Sequence, residues 1–458
     1  MSSRLFVAVA CTGLFLSLIA CGGGGSTVDK GVGSTSLNVN IGDASTDRIV
    51  AFGLTINSVV LTGAGVSTTV LSTPTQVEFA HLSGTVAPLS LSSVSNTAYT
   101  NATINVSGPH VTIIDDLGAP VAATASLTQA SLSVPISFTF NNSAATLNID
   151  LDLAQSIALN LGVNPPTASV TPVFTAGVVT NAASNQTPET GGFQEVTGAV
   201  TGTTGSSFTI SVSQTGQSLT FGADGSTTFT GVGGVSGLLN GNVIEVTGVT
   251  NTDGTLLAKN VTMQVGTAAG LEVEGLVTSV TGTPVTSLDV VTRDEATSSA
   301  SKPAPGDIVT ADVSTVPANK FLVNSTADLT GVLATFDSSH VALGQSLELD
   351  AGAAAANNIT ANQVQLRDGT WTGTITGAII PLGNGGTQFT IVLPPDSALV
   401  KLTAGTLNPV TSVTVIRQPS TTMLNGATVT PNLAVRVRGP LFFDGANYTL
   451  VAVRMTTP

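Results

Sequence analysis

Four aspartates carry the sharpest chemical reading of this chain. Asp43 and Asp47 fall in a loop after the first candidate strand, while Asp150 and Asp152 alternate along a later strand and so project to one face. Four hard oxygen donors of this kind could gather around Ca²⁺; the competing reading has Asp43 capping a turn and the strand pair facing water. Three histidines, His81, His110 and His340, sit in separate contexts and are each read as a lone surface or loop-edge side chain rather than a zinc ligand. The sequence contains no Gly-x-Ser-x-Gly elbow, no P-loop and no His-Glu-x-x-His. Residues 231–237 are glycine-rich but lack a dinucleotide spacing and a following helix, and read as a loop. Trp371 and Tyr448, near the two ends of the last segment, read as core packing rather than a stacking platform. The expectation is a protein that is not an enzyme and takes no cofactor, calcium aside.

Positioning these residues falls to β-structure. Only 9% of the 458 residues are charged, where roughly 25% is usual, and 49 Gly and 21 Pro punctuate a chain rich in Ser and Thr. That balance excludes long charged helices, and 42% hydrophobic residues exclude a disordered polar chain. Ser36 to Ile41 alternates so that Leu37, Val39 and Ile41 share one sheet face, and similar short runs follow at 59–61, 99–106, 111–115, 136–140, 146–153 and 170–174. Residues 36–177 are therefore expected to form a β-sandwich, with Leu153 to Leu161 as the one candidate helix. Residues 178–192, rich in Asn, Thr and Gly, read as a linker.

Beyond the linker a pattern recurs at 193–266, 267–368 and 369–458. The first copy runs through Glu195 to Val200, Phe208 to Val212, Leu219 to Phe221, Val243 to Gly248 and Leu256 to Val261; the third answers with Trp371 to Ile375, Phe389 to Val392 and Val435 to Gly439. Gly248 precedes an Asp-Gly turn at Asp253 by five residues, and Gly439 precedes one at Asp444 by the same five. At positions read as outward, Glu245 and Thr247 become Arg436 and Arg438, while the inward Val246 and Val437 persist. The middle copy diverges most, and its polar insertion from Asp294 to Gly306 is expected to protrude.

Through Gly198, Ser207 to Ile210, Leu239 to Val243 and Gly254 to Leu256, these copies resemble an uncharacterised family of small β-barrel domains, often tandem in exported bacterial proteins and similar in strand plan to the OB-fold. Residues 36–177 resemble a second uncharacterised domain family, found near the N-terminus of bacterial and archaeal lipoproteins, through the first strand running into Gly42-Asp43-Ala44, Tyr99-Thr100, the stretch from Asp150 to Ser156, and Pro172-Val173-Phe174. The expected architecture is all-β: an N-terminal β-sandwich followed by three tandem small OB-like β-barrel modules.

The N-terminus reads as an address. Arg4 precedes an apolar run from Leu5 to Ala20, a layout of the secretory-signal type and short of the ~20 residues of a membrane span. Leu18-Ile19-Ala20-Cys21 resembles the bacterial lipobox, which implies removal of 1–20, lipidation of Cys21, a Gly-rich tether over 21–35 and, because Gly22 is not Asp, the outer membrane. Cys11 would leave with the signal, so the mature chain would carry no disulfide. The same cleavage leaves 12 basic and 27 acidic side chains, with +3 from residue 369 onward and −18 before it. From that acidity nucleic acid is not expected as a partner. The expected role is a lipid-anchored cell-envelope protein, facing the periplasm or the cell surface, with a non-catalytic binding, adhesion or structural function. Membrane contact through the lipid, and a polysaccharide or envelope protein, are the expected partners; carbohydrate or small-ligand binding is the alternative function, and envelope-polymer hydrolysis a weaker one.

Overall fold

The computed structural model describes residues 33–457 apart from 45–47, 83–85, 182–191, 214, 267–269, 298, 300, 333–334, 354 and 425–426. Cys21 and its surroundings lie outside the described residues. Strands make up nearly all the regular structure, as the composition requires.

In the N-terminal region two sheets close on one apolar core. A four-stranded sheet runs Phe174–Thr180, Ala145–Asp152, Ser34–Ala44, Val86–Ser95, with Ser34–Ala44 parallel to Ala145–Asp152 and antiparallel to Val86–Ser95. An eight-stranded sheet is built on the long antiparallel pair Ile49–Gly63 and Ala98–Ile114. Leu37, Val39 and Ile41 from the first sheet meet Phe52, Leu54, Tyr99 and Ile104 from the second in a single cluster. The helix expected over 153–161 is corrected to one turn, Leu153–Ser156, after which Ile157–Asn160 pairs antiparallel with Thr167–Val170. A lone turn gains too few hydrogen bonds to propagate, and the sheet edge offers the next four residues a full ladder. Val178 to Thr180, read as linker, belong to a strand.

The rest of the chain repeats one circuit three times. In the first module Gly192–Thr204 pairs with Ser207–Val212 on one side and Val243–Thr250 on the other. Ser218–Gly222 continues from the second strand, and Leu256–Val265 pairs antiparallel with Val243–Thr250 and parallel with Ser218–Gly222, completing the ring. Leu271–Thr281, Ser287–Ala296, Ile308–Asp312, Ser346–Ala351 and Asn358–Leu366 follow the same plan. Asp368–Pro381, Thr387–Val392, Ser412–Met423, Ala434–Phe443 and Tyr448–Thr456 form a closed barrel, again with the third and fifth strands parallel. This is the five-stranded, OB-like order.

One glycine position recurs with the circuit. A Cβ on Gly198, Gly275 or Gly373 would stand 2.3, 2.3 or 2.8 Å from the carbonyl oxygen of Ser211, Val291 or Val392 on the adjacent strand. The opening strand can coil tightly against its neighbour only where no side chain intervenes.

The modules are packed together. Phe442 and Val451 of the third barrel enter the apolar core of the second. The helix Ala398–Thr403 places Ala398 and Leu402 against Val50, Ala51 and Ile114 of the sandwich and Leu276 and Val291 of the second barrel. Lys401 on this helix reaches Asp116 at 2.8 Å, a carboxylate it shares with Arg48 at 2.9 Å.

Candidate functional site

Two strands of the second barrel alternate apolar with acidic residues: Leu271-Glu272-Val273-Glu274 and Leu347-Glu348-Leu349-Asp350. The leucines and valine fill the barrel, so the carboxyls face outward. Strand pairing sets Glu272 opposite Asp350 and Glu274 opposite Glu348; Asp294 lies across from Glu274 on the other side, and Gln363 and Gln365 lie across from Asp350 and Glu348. Opposed like charges disfavour a sheet even in water. Here they are also buried: Glu272 and Glu348 are each 1% exposed, Asp294 3% and Asp350 5%.

What covers them comes from every other part of the chain. The sandwich contributes Glu78 and His81. Glu78 is held by backbone N–H groups of Phe52 (2.6 Å), Ala80 (3.2 Å) and His81 (2.6 Å), and His81 Nδ1 lies 3.4 Å from Glu274 Oε1, an ion contact without hydrogen-bond alignment. From the first barrel, Ser213 Oγ donates to Asp294 (2.9 Å), and Gln264 accepts from Gln365 Nε2 (3.1 Å). Arg367, between the second and third barrels and 2% exposed, touches three carboxylates: Glu245 of the first barrel at 2.6 Å, Glu348 at 3.2 Å and Glu274 at 3.5 Å. Arg293 donates from Nε to the Val50 carbonyl at 2.7 Å.

Burial and neighbours divide these groups into two protonation classes. Burial pushes Glu78 and Asp350 up to about 7, and Glu295, pressed also by Asp294, to about 7. Glu272 is held well above the carboxylate range by burial and by the nearby acids Glu348 and Asp294, and Glu348 by burial against the pull of Arg367. Glu274 is the exception: burial opposes its charge, but His81 and Arg367 overcome it and hold it at about 2. Burial opposes charge on His81 as well, and Glu274 with Asp294 overrides it, raising the ring to about 9. The cluster is thus an ionised centre (Glu274, His81, Arg367) flanked by carboxyls whose hold on a proton is strengthened by burial. Among the described residues Glu272 Oε2 and Asp350 Oδ1 accept no hydrogen bond.

A separate cleft of about 510 Å³ opens between the second and third barrels. Its floor is the third barrel's second and third strands (Gln388, Ile416, Gln418), with Asn384 from the loop joining strands one and two and Asp444 from the loop joining four and five. Val332 and His340 of the second barrel form its other wall. Gln418 ties the two walls together: its amide donates to the Thr330 carbonyl at 3.2 Å and accepts from Asn384 at 2.7 Å. The size falls in the range of small-ligand sites.

The residues singled out from sequence are distributed as follows. Asp47 and the side chain of Asp43 lie outside the described residues. Asp150 is exposed. Asp152 caps the single helical turn, accepting from Gln155 N at 2.9 Å and Gln155 Nε2 at 2.6 Å. Among the described residues no group of three or more His, Cys, Asp or Glu is arranged to hold a metal. Trp371 and Tyr448 are core residues of the third barrel, and 231–237 is a loop with a short turn at Val235–Gly237.

Two readings are corrected. His81 is not a surface residue but lies in the ionic cluster, and His110 stacks its ring over Gly53, its strand partner, where burial lowers its basicity. The Asp294–Gly306 segment begins inside a strand, buries Asp294 and Glu295, and returns to the sandwich, where Thr112 Oγ1 donates to the Gly306 carbonyl at 3.4 Å. Sequence reasoning missed the acidic cluster, because alternation of leucine with Glu or Asp is the ordinary mark of a solvated sheet face. The available signal was Arg367, a rare cation in a chain with 13 Lys and Arg.

No family model matches the chain, and no curated protein matches it. The solved structures that match include the wild-type single-stranded DNA binding protein from Thermus aquaticus, at 10% identity and a TM-score of 0.17 over 41% of this chain and 92% of that one. A deletion mutant of the same protein matches at 10% identity and a TM-score of 0.17, over 41% and 93%. The exclusion of nucleic acid drawn from net charge is corrected against this finding. That exclusion counted every carboxyl as surface charge, whereas Glu78, Glu272, Glu274, Asp294, Glu348 and Asp350 are buried. A likeness this slight carries no argument for what this chain binds.

Proposed function

We propose that this is a lipid-anchored protein of the bacterial cell envelope, held by Cys21 and acting by binding rather than catalysis. The observation that carries the binding reading is the cleft on the third barrel. It is formed by strands two and three and the loops joining one to two and four to five, the elements that five-stranded barrels of this plan commonly offer to ligands; that step is an analogy of fold. The anchoring reading rests on Leu18-Ile19-Ala20-Cys21 and the glycines after it.

Two experiments test the two halves. Membrane fractionation of the full chain and of Cys21→Ala is expected to find the wild type in the outer membrane and the variant released; a variant that stays anchored contradicts lipidation at Cys21. Thermal-shift screening of the full chain against Gln418→Ala, using a library of small neutral polar compounds, is expected to yield compounds that stabilise only the wild type. Compounds that stabilise both equally contradict the cleft.

A further inference from the structure

We propose that the acidic ladder of the second barrel is a proton-binding latch: protons held on Glu272, Glu348 and Asp350 keep the sandwich and the three barrels closed on one another, and their release at alkaline pH loosens the junction. The geometry is that of an interface. Glu272 stands opposite Asp350 and Glu274 opposite Glu348 in adjacent strands, and the face they form is covered by three other units instead of water. Around it stand His81 from the sandwich, with Glu78 beside it, and Glu245 from the first barrel. Arg293, Asp294, Glu295, Lys302 and Lys320 belong to the second barrel itself, and Arg367 and Arg438 lie on the side of the third. Arg367 is already shared by Glu245, Glu274 and Glu348.

Glu272 and Asp350 each keep an oxygen with no donor among the described residues, so ionising both places two uncompensated charges across one strand pair. Water can relieve that repulsion only by entering the interface. With the protons in place the same groups are neutral; Glu348 and Asp350 then accept from the Gln365 amide, and Asp350 from Gln363 at 2.8 Å. The burial that raises these carboxyls is supplied by the neighbouring units, so opening the junction and losing the protons are linked events.

The test counts protons. Unfolding the full chain with urea in unbuffered solution at pH 7 is expected to release about three protons or more per chain in total, above the roughly two that His81, Glu78 and Glu295 supply between them, because the folded state also holds protons on Glu272, Glu348 and Asp350 that free carboxyls at that pH have lost. Release of about two protons or fewer, or uptake, overturns the proposal. Small-angle scattering is expected to show a larger radius of gyration at pH 9.5 than at pH 5.5; equal radii overturn the loosening. The variant Glu272→Gln/Glu348→Gln/Asp350→Asn fixes the neutral form. It is expected to keep the pH 5.5 radius at both values, and expansion like the wild type's would count against the latch. Should that variant not fold, the proton count on the wild type decides alone.

Discussion

The inner and outer faces of the second barrel's first and fourth strands follow one alternating pattern and are both buried, yet by opposite chemistry. Inward, Leu271, Val273, Leu347 and Leu349 are fully buried among other apolar side chains. Outward, Glu272, Glu274, Glu348 and Asp350 are nearly as buried, among other polar ones. The inner face is stable on its own terms and indifferent to pH. The outer face is tolerable only while cations and protons balance it, so it makes the assembly conditional, and its contribution is one of register and specificity rather than surplus stability.

The largest effect that separates the two faces is expected at Arg367. Arg367→Met removes the cation that contacts the Glu245, Glu274 and Glu348 carboxyl groups and should cost about 3–5 kcal/mol by urea denaturation at pH 7, with the loss deepening as pH rises and more of the facing acids ionise. Leu349→Ala, next to Glu348 on the neighbouring strand and facing inward, should cost about 2–4 kcal/mol through its cavity, by the same amount at pH 5.5 and pH 8.5. A pH-dependent loss at Leu349 or a pH-independent one at Arg367 would erase the distinction.

Wild-type stability itself should peak in mildly acidic solution. Glu78 and Asp350, raised from 4.5 and 3.8 to about 7, contribute fully below their unfolded values and lose that contribution as pH climbs through about 7. His81, raised from 6.5 to about 9, contributes fully below 6.5 and loses it as pH passes about 9. Glu274, lowered from 4.5 to about 2, contributes above 4.5 and loses it as pH falls toward about 2. Melting temperatures across pH 3–10 should therefore rise from the acid side to about pH 5 and decline beyond it; a plateau from 5 to 9 would remove the protonated class. The smallest effect is expected at Asp152→Ala, about 1 kcal/mol from loss of the helix cap, without influence on the junction.

The legible part of this molecule was its interior. Period-two alternation in Leu37–Ile41 and Phe208–Val212 located core strands, because an apolar side chain reports its burial through its own type. The recurrence of Gly198 as Gly373 reflects a strand crossing that sequence registers directly. The illegible part was contact between distant segments. Nothing local to Glu274 announces that His81, from the sandwich, and Arg367, at the head of the third barrel, will meet there. An acidic outward position reads as solvated until its neighbours are known. The same limit misplaced the Asp294–Gly306 segment and kept the cleft hidden, since its two walls come from different barrels.

The central claim is that separate modules are tied through buried charge, and the pair Glu245–Arg367, 2.6 Å apart between the first barrel and the segment leading into the third, tests it most directly. A double-mutant cycle with Glu245→Gln and Arg367→Met, read by urea denaturation of the full chain at pH 7, should give a coupling energy of about 1 kcal/mol or more. Additive losses, with coupling below about 0.3 kcal/mol, would contradict a junction held by buried charge.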